Sequence, residues 1–322
     1  MEQAARAEHE RRSGVLAGVG AYSIWGLFPL VFHQLRGVNA WEILFHRVIW
    51  SFLVVVAVLA VKKQWGFVRI LRAEPRKLAQ VAAAAFFIAV NWLLYIWAVN
   101  HDRVVEAALG YYINPLITVA LGVVVLHERL RRPQVVALSL GGLAVVVLTI
   151  AYGRLPWVSL VLAGSFAAYG YLKKAISVGA APSLAVETAV LLPIALVGMA
   201  VLATTGDLAI GSSDLPRTLL LVSLGVVTSV PLLLFAAAAR RIPLSLLGLL
   251  QYLTPTLQLL CGVVVFGEPL PPERLAGLVL VWLALVVLAV DALRGRLPWT
   301  SPIQVDQEPA HGPVNTARSE AR

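Results

Sequence analysis

Charge is scarce in this chain. Only 13% of its 322 residues are Asp, Glu, Lys or Arg, against roughly 25% in a soluble domain, and its mean hydropathy is +0.83. The shortage excludes an ordinary water-soluble domain, because the apolar residues fall in long blocks that call for a bilayer as solvent. There is a single cysteine, Cys261, so no internal disulfide can form, and its place inside an apolar block argues against a redox centre or a metal site. Enzyme motifs are missing too. His127-Glu128 opens like a zinc-protease HExxH, but position 131 is Arg131, and neither a G-x-S-x-G elbow nor a Walker A loop occurs. Catalysis, a metal, a cofactor and intrinsic ATP-driven pumping are therefore not expected. The net charge of +9 would suit nucleic acid if it lay along one helix face. It lies between apolar blocks instead, so no nucleic-acid partner is expected.

What the chain has is a series of apolar runs. At about 20 residues per crossing, they divide into ten expected spans, near 14–32, 41–61, 78–99, 104–126, 135–151, 157–176, 183–204, 218–239, 244–266 and 275–292. The charged segment 1–13 has no cleavage signature, so the first helix is expected to be retained. The tail 294–322, rich in Pro, Gln, Ser and charge, is expected to be solvated and disordered. Alternate connections differ sharply in basic residues. One side holds 20 Lys and Arg and the other only Arg36, Arg103, Arg154, Arg217 and Arg274, with Arg47 left inside a span. The positive-inside rule then places both termini of a multi-pass protein in the cytoplasm.

Residues 109–130 return as 249–270, 140 positions later and without a gap, with nine of 22 pairs identical. The informative matches are Tyr112/Tyr252, Pro115/Pro255, Gly122/Gly262 and Glu128/Glu268, since none is a default choice for a lipid-facing helix. Trp25 in the first span lines up with Tyr169 in the sixth, and Glu42 and Glu187 stand near the starts of the second and seventh. Two related halves of five spans must enter the membrane from opposite sides. The expected fold is an all-α membrane protein of ten transmembrane helices in two inverted five-helix repeats, residues 14–152 and 153–293.

Within the duplicated stretch, Tyr111, Asn114 and Thr118 share one helix face, and Gln251, Thr254 and Gln258 repeat the spacing. Polar stripes in otherwise apolar helices are expected to face protein. Pro115 and Pro255 each free the carbonyl four residues earlier, and broken helices at matching positions of inverted halves point to a transporter's binding site. Asn91, Tyr95, Trp25 and Tyr169 join the expected substrate-binding set. The bland alternative makes the prolines packed kinks and the polar groups interhelical hydrogen bonds. Glu42, His46 and Arg47 form either an interfacial ion pair or a proton relay, and Glu187 is the lone carboxylate most in need of a partner, with Lys173 or Lys174 within reach. These four are the proton-coupling candidates. Glu128 and Glu268 are expected to be structural helix-end residues.

The runs AYSIWGLFPL (21–30), EILFHRVIWSF (42–52), NWLLYIWAVN (91–100), EAALGYYINPL (106–116), VETAVLLP (186–193), VVTSVPLLLFAAAARRIPLSLLGLLQYLTPTL (226–257) and VWLALVVLAVDAL (281–293) resemble the RarD family of bacterial permeases. That family is part of the EamA branch of the drug/metabolite transporter superfamily. The resemblance covers residues 14–293 and implies ten helices in two inverted halves around a central cavity, in the inner membrane. The expected function is a secondary transporter, a permease exporting a small metabolite or drug-like compound by alternating access. Its expected partners are the small-molecule substrate, the lipid bilayer and protons as coupling ion, with a homodimer left open. The alternative is a non-transporting membrane regulator or scaffold with a vestigial cavity.

Overall fold

The structure is a computed structural model that describes residues 2–126, 130, 132–174, 180–206, 208–210, 214–239, 241–242 and 244–293. The expected disordered tail, Glu128 and the Lys174 side chain lie outside the described residues. Among those described there is no strand, and nine helices are long and apolar enough to cross a membrane. The chain is a multi-pass all-α membrane protein. The expected sixth span is also helical, Trp157–Lys174. It falls outside the nine because its 18 residues end on two lysines.

The first span is α1 (Glu2–Gly26) followed by α2 (Phe28–His33). Pro29 in the first turn of α2 cannot donate to the ladder, so the chain breaks at Leu27. The charged N-terminal residues continue the helix and do not form a separate segment. Next come α3 (Ala40–Lys62), the short α4 (Gly66–Ala73), α5 (Pro75–Asn100), α6 (Val104–Leu126) and α7 (Arg132–Tyr152). The second half holds α8 (Trp157–Lys174), α9 (Ala180–Thr205) and α10 (Leu215–Ala239). Its ninth span is α11 (Leu244–Leu250), α12 (Leu253–Leu260) and a π-helical turn, Cys261–Val265, and α13 (Pro272–Leu293) closes the chain. Asn39 caps α3, its side chain accepting from the Trp41 N–H.

Helix pairing follows a regular rule. The first span packs on the eighth and the third on the sixth; the fourth packs on the sixth and the first on the ninth. The second pairs with the seventh and the fifth with the tenth. Each pairing recurs when both members are advanced five spans, which is compatible with the expected inverted repeat. Small residues permit the close crossings. A Cβ on Gly225 of α10 would stand 2.5 Å from the Trp50 backbone of α3, and one on Gly110 of α6 would stand 2.8 Å from the Ser159 carbonyl of α8.

Candidate functional site

The duplicated stretch forms most of the fourth and ninth spans, which pack on each other, but its two halves differ. The ninth span breaks at Gln251 and Tyr252, just before Pro255, and the Gln251 carbonyl that Pro255 frees accepts from the Thr254 N–H at 3.3 Å. By contrast, α6 runs unbroken through Pro115. The helix break expected at Pro115 is the loss of one ladder bond only. The same holds for α10, which stays helical through Thr228, Ser229 and Pro231.

The two polar stripes do not face each other. On α6, the Tyr111 hydroxyl donates to Asn91 Oδ1 at 3.0 Å, while the Asn91 amide donates to the Leu162 carbonyl at 2.9 Å and Ser165 Oγ at 3.1 Å. Asn91 thereby pins α5 to both α6 and α8. Thr118 turns back on the Asn114 carbonyl and is exposed. On the ninth span, Thr254 Oγ1 donates to the Tyr22 carbonyl at 2.9 Å and Gln258 Nε2 to the Trp25 carbonyl at 3.3 Å, both on α1. The direct link between the two helices falls elsewhere, at Tyr112 Oη and Thr256 Oγ1, 2.8 Å apart. Three stripe or stripe-adjacent oxygens are buried with no partner among the described residues: Tyr95 Oη, Asn114 Oδ1 and Gln258 Oε1. Trp25 is half-buried in an aromatic trio with Tyr22 and Phe235.

Glu42, His46 and Arg47 separate into two environments. Glu42 is fully buried and accepts from the backbone N–H groups of Ala209 and Ile210 at 2.9 and 3.0 Å, so it anchors the turn between α9 and α10. His46 Nε2 stands 3.7 Å from it, and His46 Nδ1 accepts from Trp50 Nε1 at 3.1 Å. An accepting Nδ1 places the imidazole proton on Nε2, toward the carboxylate. Arg47 turns the other way. Its guanidinium stacks 3.9 Å over Trp92, with Phe28 and Phe32 beside it at 5.4 and 5.8 Å, and its Nε donates to Thr228 Oγ1 at 3.0 Å.

Glu187 has found its partner. Lys173 Nζ donates to Glu187 Oε1 at 2.7 Å, Ser183 Oγ donates to the same oxygen at 2.7 Å, and the Tyr169 hydroxyl donates to Oε2 at 3.2 Å. Tyr169 thus serves a buried ion pair between α8 and α9.

At the opposite, arginine-poor end, several contacts cross between the halves. Glu268 accepts from the N–H groups of Val104 and Val105 at 2.6 and 2.8 Å, capping α6 from 164 residues away. Gly262 makes room, since a Cβ there would stand 2.9 Å from the Val105 side chain. Arg154 bonds Glu106 at 3.1 Å and Arg274 lies 4.2 Å over the Tyr152 ring, while Arg36 pairs with Asp102 within the first half. A cavity of about 780 Å³ opens at this end beside Trp41, Trp97 and Trp157, away from the stripes. The carboxylate cap was legible only as a repeated glutamate, and its partner was not, because nothing local links Glu268 to Val104.

Comparison with known proteins agrees with this architecture. The EamA-like transporter family matches residues 12–150. A protein RarD from Streptomyces exfoliatus is 53% identical over 289 residues, covering 90% of this chain and 92% of that protein. Protein RarD of Escherichia coli (strain K12) is 42% identical, covering 88% of this chain and 96% of its own. A solved crystal structure shares the fold with a TM-score of 0.57 at 20% identity, over 89% of this chain and all of that one.

Proposed function

The chain belongs to the RarD family of EamA-type transporters, and from that premise we propose an inner-membrane secondary transporter that exports a small metabolite or drug-like compound by alternating access. The observation that carries the proposal is the set of orphaned oxygens at mid-bundle. Tyr95 Oη and Asn114 Oδ1 in the first half and Gln258 Oε1 in the second are buried without partners among the described residues. An unpaired buried polar group costs about 1–3 kcal/mol, a standing penalty that a substrate relieves. A bundle serving only as a scaffold gains nothing by keeping such groups unpaired.

At the arginine-poor end Glu268 and Arg154 tie the halves together, and the basic-residue asymmetry supports an outside location for that end and a cytoplasmic one for both termini. The proposed inverted halves, 14–152 and 153–293, rock against each other around the centre. His46 with Glu42, and Glu187 with Lys173, are the buried titratable pairs available for coupling to protons. The test is flux in proteoliposomes. Alanine at Asn114 and at Gln258 lowers transport by roughly tenfold or more, about one charge-independent hydrogen bond each, while insertion and yield persist. Wild-type flux in both variants removes the site from these residues.

A further inference from the structure

Arg47 is a buried cation with no counter-ion among the described residues. Arg47 is 4% exposed and lies seven residues into α3, roughly 10 Å along the helix, which is inside the hydrocarbon layer. Of the five N–H donors of a guanidinium, Nε is spent on Thr228 Oγ1 at 3.0 Å. No ion pair among the described residues includes Arg47. The nearest carboxylate in sequence, Glu42, is i−5 on the same helix, so it points away, and the Ala209 and Ile210 N–H groups already hold it.

What surrounds the guanidinium is aromatic. Trp92 lies under it, Phe28 and Phe32 flank it, and Phe32 meets Tyr95 edge-on at 6.0 Å, which in turn meets Tyr111 at 5.8 Å. The ring faces offset part of the cost of burying the charge, yet among the described residues the guanidinium's one hydrogen bond is that of Nε to Thr228, and no acceptor meets its terminal N–H donors. Beside them, Tyr95 Oη and the Ser229 Oγ next to Thr228 are buried and unpartnered. A structural arginine of a bilayer protein pairs with an acid or with backbone carbonyls; this one does neither.

We infer that the transported molecule is a monoanion, in its simplest form an organic carboxylate with a flat apolar or aromatic body, and that Arg47 is the residue that binds its charged end. The inference rests on the transporter function proposed above and names its substrate class. The guanidinium fork matches a carboxylate with two parallel hydrogen bonds. A single unpaired cation neutralises one negative charge. A dianion such as a phosphate monoester would carry a second, uncompensated charge into the low dielectric, which is strongly unfavourable. Trp92, Phe28, Phe32 and Tyr95 suit the apolar remainder, and the Tyr95 hydroxyl is a spare donor for the second carboxylate oxygen.

The experiment uses the full chain in proteoliposomes loaded with a bacterial metabolite extract, with mass spectrometry of what crosses the membrane. Excess indole-3-acetate and phenylpropionate compete with the transported species, while their neutral amides compete at least tenfold less well. Arg47→Gln lowers flux of that species by roughly 10- to 100-fold, the range for a hydrogen-bonded charge, and Arg47→Lys retains part of it. The competition in the wild-type protein needs no variant, so misfolding of Arg47→Gln leaves the outcome readable. Transport of neutral or cationic molecules, unaffected by the carboxylates, overturns the inference while leaving the transporter function standing. Wild-type flux in Arg47→Gln overturns it as well. If no compound crosses, the transporter function itself fails and this inference fails with it.

Discussion

Glu268 is the contact whose removal has the most readable consequence. Its carboxylate is 8% exposed and reaches from the second half to the first turn of α6, where Val104 and Val105 are 1% and 7% exposed. Two bonds of 2.6 and 2.8 Å to backbone N–H groups are short, charge-assisted and aligned with the positive end of a helix. Replacing Glu268 with Ala leaves two buried donors that water must travel to reach, at a cost of about 1–3 kcal/mol each. A closed end that loses about 3 kcal/mol opens on the order of 100-fold more often, since each 1.4 kcal/mol is a factor of ten.

The native Cys261 reports that opening. It is the only cysteine in the chain, it is 4% exposed, and it opens the π-helical turn whose Gly262 packs on Val105. Separation of α6 from the ninth span exposes both together. The labelling rate of Cys261 by a maleimide in membranes follows the open population when closing is fast. Glu268→Ala is expected to raise that rate by one to two orders of magnitude, and Glu268→Gln by much less, because the amide oxygen still accepts one N–H. If Glu268→Ala labels within twofold of wild type, the carboxylate is a helix cap kept in both states and not a latch between halves.

Two further outcomes follow from the same geometry. Burial pushes the Glu268 carboxyl above its ordinary value of 4.5, with the Val105 and Val104 N–H groups partly opposing; a raised value means that the closed state binds the proton more tightly, so closure gains as pH falls from that raised value to 4.5 and gains nothing beyond. The ratio of wild-type to Glu268→Gln labelling of Cys261 therefore falls across that window and is flat above it, and a ratio independent of pH throughout refutes the linkage. Gly225→Ala sets a methyl carbon 2.5 Å from the Trp50 backbone, which no side-chain rotation can relieve, so it costs about 1–3 kcal/mol by overpacking and lowers the melting temperature measured in detergent by several degrees; an unchanged melting temperature shows that α3 and α10 slide apart freely.

Much of the fold could be read from the residues because a bilayer fixes the length of its helices. Apolar runs bounded by charge can hardly become anything else, and the missing sixth member of the nine is explained by Lys173 and Lys174 at its end. The backbone inside the spans was less legible. Pro115 and Pro255 stand at equivalent positions, yet one helix stays whole and the other breaks. A proline removes one ladder bond in either case. Whether the helix then opens depends on surroundings that the local sequence does not name.

What each polar stripe meets is not legible in its spacing. Spacing of i, i+3 and i+7 assigns residues to a face but does not say what the face meets. A repeat says which residues are equivalent, and equivalent faces meet only where they lie on the axis relating the halves. The stripe on α6 meets α5 through Asn91, its neighbour Gly110 packs on α8, and the stripe on the ninth span meets α1. The two stripes therefore meet different neighbours and do not form one facing pair. Charge differs between the halves as well. Counting from Glu42 and Glu187, the position of Arg47 falls on Leu192 in the second half, so the cation has no counterpart there. At the inferred site a molecule with one charged end then has a single bound orientation, its anion on Arg47 and its apolar body against Trp92, Phe28, Phe32 and Tyr95. Leu192→Arg adds a competing cation that this geometry says should weaken transport, not improve it.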